Sequence, residues 1–364
     1  MAEDKLILIK DALDIIPVRE GEDFDHARLA AYLRGKLPDS DRPLAVEQFS
    51  GGKANLTYLL RYGDTEYVLR RPPLGPVAPT AHDMGREYRV LSALYKGYPL
   101  APRAYVYCDN PAIVGAPFFV MERRRGTVIR GAIPPQWGSG NDPAINRQIS
   151  EVLIDTLADL HSLDPRAVGL ADLGKPEGFL RRQIDGWYAR YERSKTRDLP
   201  VAAELVQWLR ERMPPSPPAA LIHNDWRLDN MMFDAHDPGQ CVAVFDWDMC
   251  TLGDPLVDLG TVLASWLQAG ESLGGDSSLG MPSTQPGFLT RRDTVARYCK
   301  RRNADASTVP YYYVFGSFKN AVVVQQIYYR YHVGQTKDQR FQAFGQLAEL
   351  AFQLAKQRSE SPAV

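Results

Sequence analysis

The run His223-Asn224-Asp225-Trp226-Arg227-Leu228-Asp229-Asn230, followed by Val244-Phe245-Asp246-Trp247, concentrates the chemistry-bearing residues of this 364-residue chain. The first segment reads H-x-D-x-x-x-x-N, and Asp246 closes a short hydrophobic run. A carboxylate such as Asp225, in a loop just after a buried strand, can accept a hydrogen bond from an attacking hydroxyl and orient it. Asn230 offers a neutral oxygen and Asp246 a charged one, and hard oxygens suit Mg2+, which also keeps phosphate oxygens and waters in its shell. This is the set that phosphoryl transfer needs. A competing reading is a surface turn in which Asp225 and Asn230 only cap backbone groups. The combined spacing favours the catalytic reading.

Neighbouring residues are candidates for support. His223 is expected to pack and hydrogen-bond so as to shape the loop rather than to shuttle protons. In Gly253-Asp254-Pro255 and Asp258, a buried carboxylate (Asp258 or Asp254) can brace the catalytic loop by accepting its backbone amides. Asp254 also suits a helix N-cap, with Pro255 at the first helical position.

The elements that must position these residues follow from periodicity and turn signals. Helical spacing runs from Phe24 to Leu37, and Leu44 to Phe49 reads as a strand before the turn Ser50-Gly51-Gly52. Two alternating runs, Leu56 to Tyr62 and Glu66 to Arg70, joined by Gly63-Asp64, predict an antiparallel hairpin. Pro72-Pro73 ends it. A helix is predicted within 80–95 and a strand from Pro117 to Met121. Beyond the connector Glu122 to Gly126, helices are predicted over Ile145–Leu163, Phe179–Glu192 and Val201–Arg212, the first stopped by Asp164-Pro165. The linker Pro214 to Pro218 leads into a strand at Leu221-Ile222. Met231-Met232-Phe233 and Cys241 to Phe245 predict a hairpin that brings Asn230 and Asp246 together. Residues 272–286, rich in Gly, Ser and Pro, read as a mobile surface loop, and 290–356 as helical.

Composition bounds the class. Hydrophobic residues make up 45% and charged residues 24% of the chain, as in soluble globular proteins, and the length suits two domains. No apolar run approaches the roughly 20 residues needed to span a bilayer, and the mixed-sign N-terminus is unlike a secretory signal. A cytoplasmic protein with no membrane partner is the expectation. A net charge of −1 gives no general pull towards nucleic acid. The four cysteines form no C-x-x-C pair and read as buried free thiols.

On these residues the chain resembles the aminoglycoside phosphotransferase/choline kinase-like family, with motifs spread over about 45–265. The resemblance implies an α+β, bilobal protein-kinase-like fold. A small antiparallel-sheet lobe would occupy 1–121, and a larger, mainly helical lobe 122–364, with a hinge at about 122–126. It implies ATP and Mg2+ as cofactors and a small-molecule hydroxyl as acceptor. Gly51, Gly52 and Asn55 would belong to the nucleotide loop. Arg70 stands where the family usually has the third-strand lysine, and Glu87 would be its ion-pair partner. Val120 to Arg123, with Met121 and Glu122, would meet the adenine. Arg227 would touch the transferred phosphate or lie solvated in the loop. Arginine is longer, planar and bidentate, so it does not simply replace lysine at a phosphate site. A non-catalytic nucleotide-binding protein is therefore the alternative.

A closer resemblance is carried by Phe49-Ser50-Gly51-Gly52, Asn55-Leu56-Thr57-Tyr58 and Val68 to Pro73. These look like the branch whose kinase domain is fused to acyl-CoA dehydrogenases, in which arginine at the lysine position is common. That branch implies hydroxylated acyl or acyl-CoA acceptors. Charge agrees: residues 289–364 hold 12 Lys and Arg against 5 Asp and Glu, and 181–212 hold eight against five. Clusters at Arg181-Arg182, Arg190, Arg193, Arg291-Arg292 and Lys300 to Arg302 suit an anionic acceptor or, for most of these residues, an ordinary solvated helix surface, and they lack the carboxylate lining that a cationic aminoglycoside or choline-like amine requires. Aromatic residues from Trp187 to Tyr191 and from Tyr311 to Tyr331 are expected mainly in the core, with a few walling an apolar pocket.

Overall fold

A computed structural model describes residues 15–50, 55–73, 83–271, 282–362 and 364. Gly51 and Gly52, and most of the 272–286 loop, lie outside the described residues. The chain order is β1 (Ile15–Ile16), α1 (His26–Leu33), β2 (Leu44–Phe49), β3 (Leu56–Tyr62), β4 (Thr65–Arg71), α2 (Met84–Leu94), β5 (Ala104–Cys108) and β6 (Phe118–Glu122). These strands form one antiparallel sheet in the order β1-β2-β3-β4-β6-β5. The β3–β4 register runs from Leu56 opposite Arg71 to Tyr62 opposite Thr65. Gly63 opens the two-residue turn with φ +64°, a conformation that glycine adopts without steric cost.

Alternation along β4 decides which arginine faces the site. Tyr67 and Leu69 pack with Leu29, Leu33 and Tyr58 on one face of the sheet. Arg71 is on that side and bonds the Tyr58 hydroxyl and the carbonyls of Glu22 and Val114. Val68 packs on the opposite face with Met84, Val90 and Leu91 of α2, and Arg70 faces the same way. Asp83 caps α2 by accepting from the Arg86 amide at 3.0 Å.

The second lobe contains β7 (Thr127–Val128), α3 (Pro143–His161), α4 (Phe179–Ser194), α5 (Pro200–Glu211), β8 (Ala220–Ile222), β9 (Met231–Phe233), β10 (Cys241–Val244) and β11 (Thr251–Gly253). It continues with α6 (Leu256–Ser265), α7 (Arg291–Arg302), α8 (Val309–His332) and α9 (Phe344–Glu360). One hydrophobic core runs from the α2 face of the sheet through this whole lobe. No described helix is long and apolar enough to cross a membrane.

The predicted elements are present, with shifted ends. The first helix is shorter than Phe24–Leu37, spanning His26–Leu33, and Pro282–Thr284 forms a short 3-10 turn inside the expected loop. Sequence reading missed β1, β5, β7 and β11. β5 is an edge strand paired only with β6. Its half-exposed Tyr105 and Tyr107 blur the apolar-polar alternation that identifies a strand. β7 and β11 have two and three residues and exist through their partners β9 and β8.

α8 is the axis of the lobe, and α6 lies against it at a glycine crossing. A Cβ on Gly260 would sit 2.2 Å from the Tyr312 carbonyl oxygen, and one on Gly316 would sit 2.3 Å from the Gly260 carbonyl oxygen. The obstructing atoms are backbone, so neither can step aside. Gly316→Ala is expected to destabilise the fold by about 1–3 kcal/mol or more in urea unfolding. Wild-type stability of that variant would refute the crossing.

Candidate active site

The loop 223–230 leaves β8 and enters β9, and a single buried carboxylate holds its first turn. Asp258, in the first turn of α6 and fully buried, accepts the amides of His223 at 2.7 Å and Asn224 at 2.8 Å. His161 of α3 sends Nε2 to the same carboxylate at 3.3 Å and receives the Tyr298 hydroxyl at Nδ1, 2.7 Å. A carboxylate only accepts, so Nε2 carries the histidine proton. Burial alone would raise the Asp258 pKa, but the bond and charge of His161 hold it below the ordinary carboxylate value. Burial pulls His161 the other way, below the usual histidine value.

Of the two acidic candidates, Asp258 is therefore the brace. Asp254 has a separate task. It accepts the Leu256 amide at 3.0 Å and the Tyr312 hydroxyl at 2.6 Å, and so fixes the start of α6 on α8. The helix itself begins at Leu256, one residue after Pro255.

His223 is held on every side. Its Nε2 is 2.8 Å from the Phe245 carbonyl, which can only accept, and its Nδ1 accepts the Asp225 amide at 3.3 Å. The ring lies edge-on between the buried indoles of Trp226 and Trp247. Both nitrogens are thus used to shape the loop. Asn224 takes a left-handed φ of +67°, stabilised by its side-chain bond to the Met249 carbonyl at 2.8 Å. Asp246 also has φ +67°. Asn and Asp tolerate this region better than other side chains, and such residues gather at functional loops.

The Asn230 amide donates to the Asp225 carbonyl at 2.9 Å and to its carboxylate at 3.0 Å. The Phe245 amide donates to the Asn230 carbonyl at 2.9 Å, so the β9–β10 hairpin sets Asn230 beside Asp246. Arg70 reaches over from the sheet. Its guanidinium pairs with Glu87 at 2.6 Å and with Asp246 at 3.0 Å. Burial of Glu87 raises its carboxyl to about 7, against the pull of Arg70. Asp225, Asn230, Asp246, Arg70 and Glu87 therefore meet in one place. Met121 is buried in the inner strand β6, opposite Val68, and Glu122 ends that strand and pairs with Arg124 at 3.1 Å. Asn55 is buried immediately before β3.

Asn230 and Asp246 are oxygen donors of the kind Mg2+ takes. Among the described residues no group of three or more His, Cys, Asp or Glu could enclose a metal. Such a pair fits an ion that completes its shell with phosphate oxygens and water, rather than one held by protein alone.

Asp225 also lines a cleft of about 380 Å3 together with Arg227. Its walls are mainly aliphatic, from Leu153, Val262, Val324, Leu347 and Leu354. The cleft is built by α6, α8 and α9 rather than by the arginine-rich α4 and α7. Tyr311, Tyr312 and Tyr313 are buried core residues and do not line it. Two arginines of α7 are engaged elsewhere, Arg297 with Asp155 at 2.7 Å and Arg301 with Asp159 at 2.7 Å. Arg227 is exposed and paired with Asp229.

Sequence reading missed Lys319. This buried lysine of α8 donates to the Asn224 carbonyl at 2.6 Å, so α8 holds by a carbonyl the loop that Asp258 holds by its amides. Burial pulls its pKa below the usual lysine value, opposed by the charges of Asp258 and Asp225. The signal was present: one lysine interrupts the apolar run Tyr311 to Val324.

A model of the phosphotransferase enzyme family matches residues 45–276, more than half of the chain. The chain belongs to this family. The family is one of phosphotransferases. Acyl-CoA dehydrogenase family member 11 of Gallus gallus is 34% identical over 361 residues, covering 94% of this chain and 45% of that protein. The Homo sapiens protein of the same name is 31% identical, with 95% and 44% covered. The chain thus spans about half the length of these relatives. A putative aminoglycoside phosphotransferase from Ralstonia eutropha superposes with a TM-score of 0.73 at 28% identity, covering 92% of this chain and 99% of that one. A choline kinase from Cryptosporidium parvum shares the fold at TM-score 0.62 and 12% identity, with 92% and 96% covered. The bilobal protein-kinase-like architecture of the phosphotransferases is the architecture described above.

Two measurements check the brace. Asp258→Ala leaves two loop amides without their acceptor and is expected to cost about 3–5 kcal/mol in urea unfolding; a loss under about 1 kcal/mol would contradict its role. His161 has a folded pKa below its ordinary 6.5, so the unfolded chain takes up the proton first. Stability is therefore expected to decline as pH falls below 6.5, at up to about 1.4 kcal/mol per pH unit. His161→Gln should flatten that slope.

Proposed function

We propose that this chain is an ATP- and Mg2+-dependent phosphotransferase acting on a hydroxyl of an anionic small molecule, such as a hydroxyacyl or hydroxyacyl-CoA compound. The observation that carries this reading is the position of Asp225, between the Asn230–Asp246 pair and the aliphatic cleft. An acceptor chain lying in that cleft would present its hydroxyl to the carboxylate, which orients it and takes up its proton as the oxygen–phosphorus bond forms and the bond from the γ-phosphorus to the departing nucleoside diphosphate breaks. Asn230 and Asp246 would hold Mg2+, which when bound neutralises charge on the phosphates. Arg70, fixed by Glu87, would position the nucleotide, with Gly51, Gly52 and Asn55 over the phosphates and Met121 and Glu122 beside the adenine. Arg227 would meet the transferred phosphate.

Aminoglycoside phosphotransferases of this fold have been solved with ADP and with AMP-PNP, which supports a nucleoside triphosphate as donor. The acceptor class draws on the cleft and on the relatives. Among the described residues, the one carboxylate lining the cleft apart from Asp225 is Asp229, which is paired with Arg227. Such a lining suits an acyl chain better than a polycation. The relatives named for acyl-CoA dehydrogenation point to the same class of acceptor.

A second reading rests on Arg70, whose bond to Asp246 engages a metal-ligand candidate. Under it the chain binds nucleotide without transferring phosphate. Assay with ATP, Mg2+ and a panel of hydroxyacyl-CoA esters and free hydroxy acids separates the two. Turnover is expected, and Asp225→Asn should lower kcat by about 100- to 10,000-fold with nucleotide affinity little changed. Nucleotide binding with no turnover, or turnover indifferent to Asp225→Asn, would favour the regulatory reading.

A further inference from the structure

Several basic side chains of the C-terminal helices have acidic partners. Arg181 and Arg210 pair with Asp185, Arg297 with Asp155 and Arg301 with Asp159. Arg190 and Arg193 of α4 and Arg330 of α8 differ. Among the described residues none of the three has a carboxylate within ion-pair distance, and all three line one open cavity of about 480 Å3. Among the described residues no acidic side chain lines it; the other polar groups are Ser194, Gln326 and Tyr329. The Arg190 guanidinium lies 4.3 Å from the centre of the Trp187 ring, which fixes its plane. Converging guanidinium groups without a counter-charge raise the energy of the empty cavity and favour an anion in it.

The cavity adjoins the cleft of the acceptor reading, since Val323 lines both. Ser317, Asn320 and Val324 of α8 face the cleft, whereas Gln326, Ile327 and Arg330 face the cavity. From Ser317 to Arg330 the helix rises about 20 Å. A short hydroxy acid seated at Asp225 cannot extend that far. A long acceptor with an anionic far end can.

We infer that Arg190, Arg193 and Arg330 form a subsite for a phosphate or oligophosphate group carried on the distal arm of an extended acceptor whose hydroxyl lies at Asp225. The guanidinium forks match phosphate oxygens bidentately, which a lysine cluster would not do. The subsite selects acceptors by length and distal charge, and it rests on the acceptor reading of the cleft.

The test uses the full chain and its Arg190→Gln, Arg193→Gln and Arg330→Gln variants, singly and combined. These side chains are exposed, so thermal unfolding is expected to stay close to wild type. Calorimetric titration with coenzyme A and with inorganic pyrophosphate, without nucleotide, reads the subsite directly. Coenzyme A is expected to bind more tightly than pyrophosphate, and the triple variant to lose about 10- to 100-fold or more of that affinity. In turnover, KM for a hydroxyacyl-CoA should rise by a similar factor, with kcat and the KM of the free hydroxy acid unchanged. Coenzyme A binding equally well to the triple variant would overturn the subsite. Binding no tighter than pyrophosphate would overturn its assignment to an acceptor arm and leave a site for free phosphate. Absence of turnover with every hydroxyacyl compound would sink the acceptor reading, while the titration still decides the subsite.

Discussion

The geometry of this protein depends on one buried carboxylate. Asp258 has no solvent to neutralise it, so it is stable only where donors converge, and the donors it collects are the first two amides of the 223–230 loop and a histidine from α3. The loop is thereby tied to the start of α6. Because Gly260 and Gly316 let α6 approach the axis of α8 at backbone distance, Lys319 of α8 reaches the Asn224 carbonyl. The loop that carries Asp225 is clamped by a buried negative and a buried positive charge, each satisfied through the loop's own backbone. Left-handed conformations at Asn224 and Asp246, costly in an isolated chain, persist inside that clamp.

A second ionic contact joins the lobes. Arg70 leaves the sheet on the α2 face, and its fork is long enough to hold Glu87 and Asp246 at once. A lysine ammonium offers a point charge in place of that planar bidentate group. Asp246 thereby couples the sheet to the loop that carries Asn230 and Asp225.

Much of this was legible in the sequence. The H-x-D-x-x-x-x-N spacing and the hairpin to Asp246 are local, and strand alternation assigns Arg70 and Arg71 to opposite faces. Helices α3, α4 and α5 were evident because their apolar periodicity is long. β1, β5, β7 and β11 were not, because short or edge strands draw their stability from partners and carry little pattern of their own. The basic clusters were visible as composition, but composition did not distinguish Arg297 and Arg301, neutralised across α3, from Arg190, Arg193 and Arg330, which share a cavity without a counter-charge.

The sequence by itself determined the family and the candidate residues, because an acid, an amide and a second acid lie within one short segment whose spacing is covalent. Tertiary structure alone decided which residues stand behind them. Asp258 rather than Asp254 braces the loop, Lys319 binds it from 95 residues away, and Arg70 meets Asp246 across 176 residues. Those pairings follow from how helices and sheet pack, and packing depends on the whole core at once, so no local spacing encodes them.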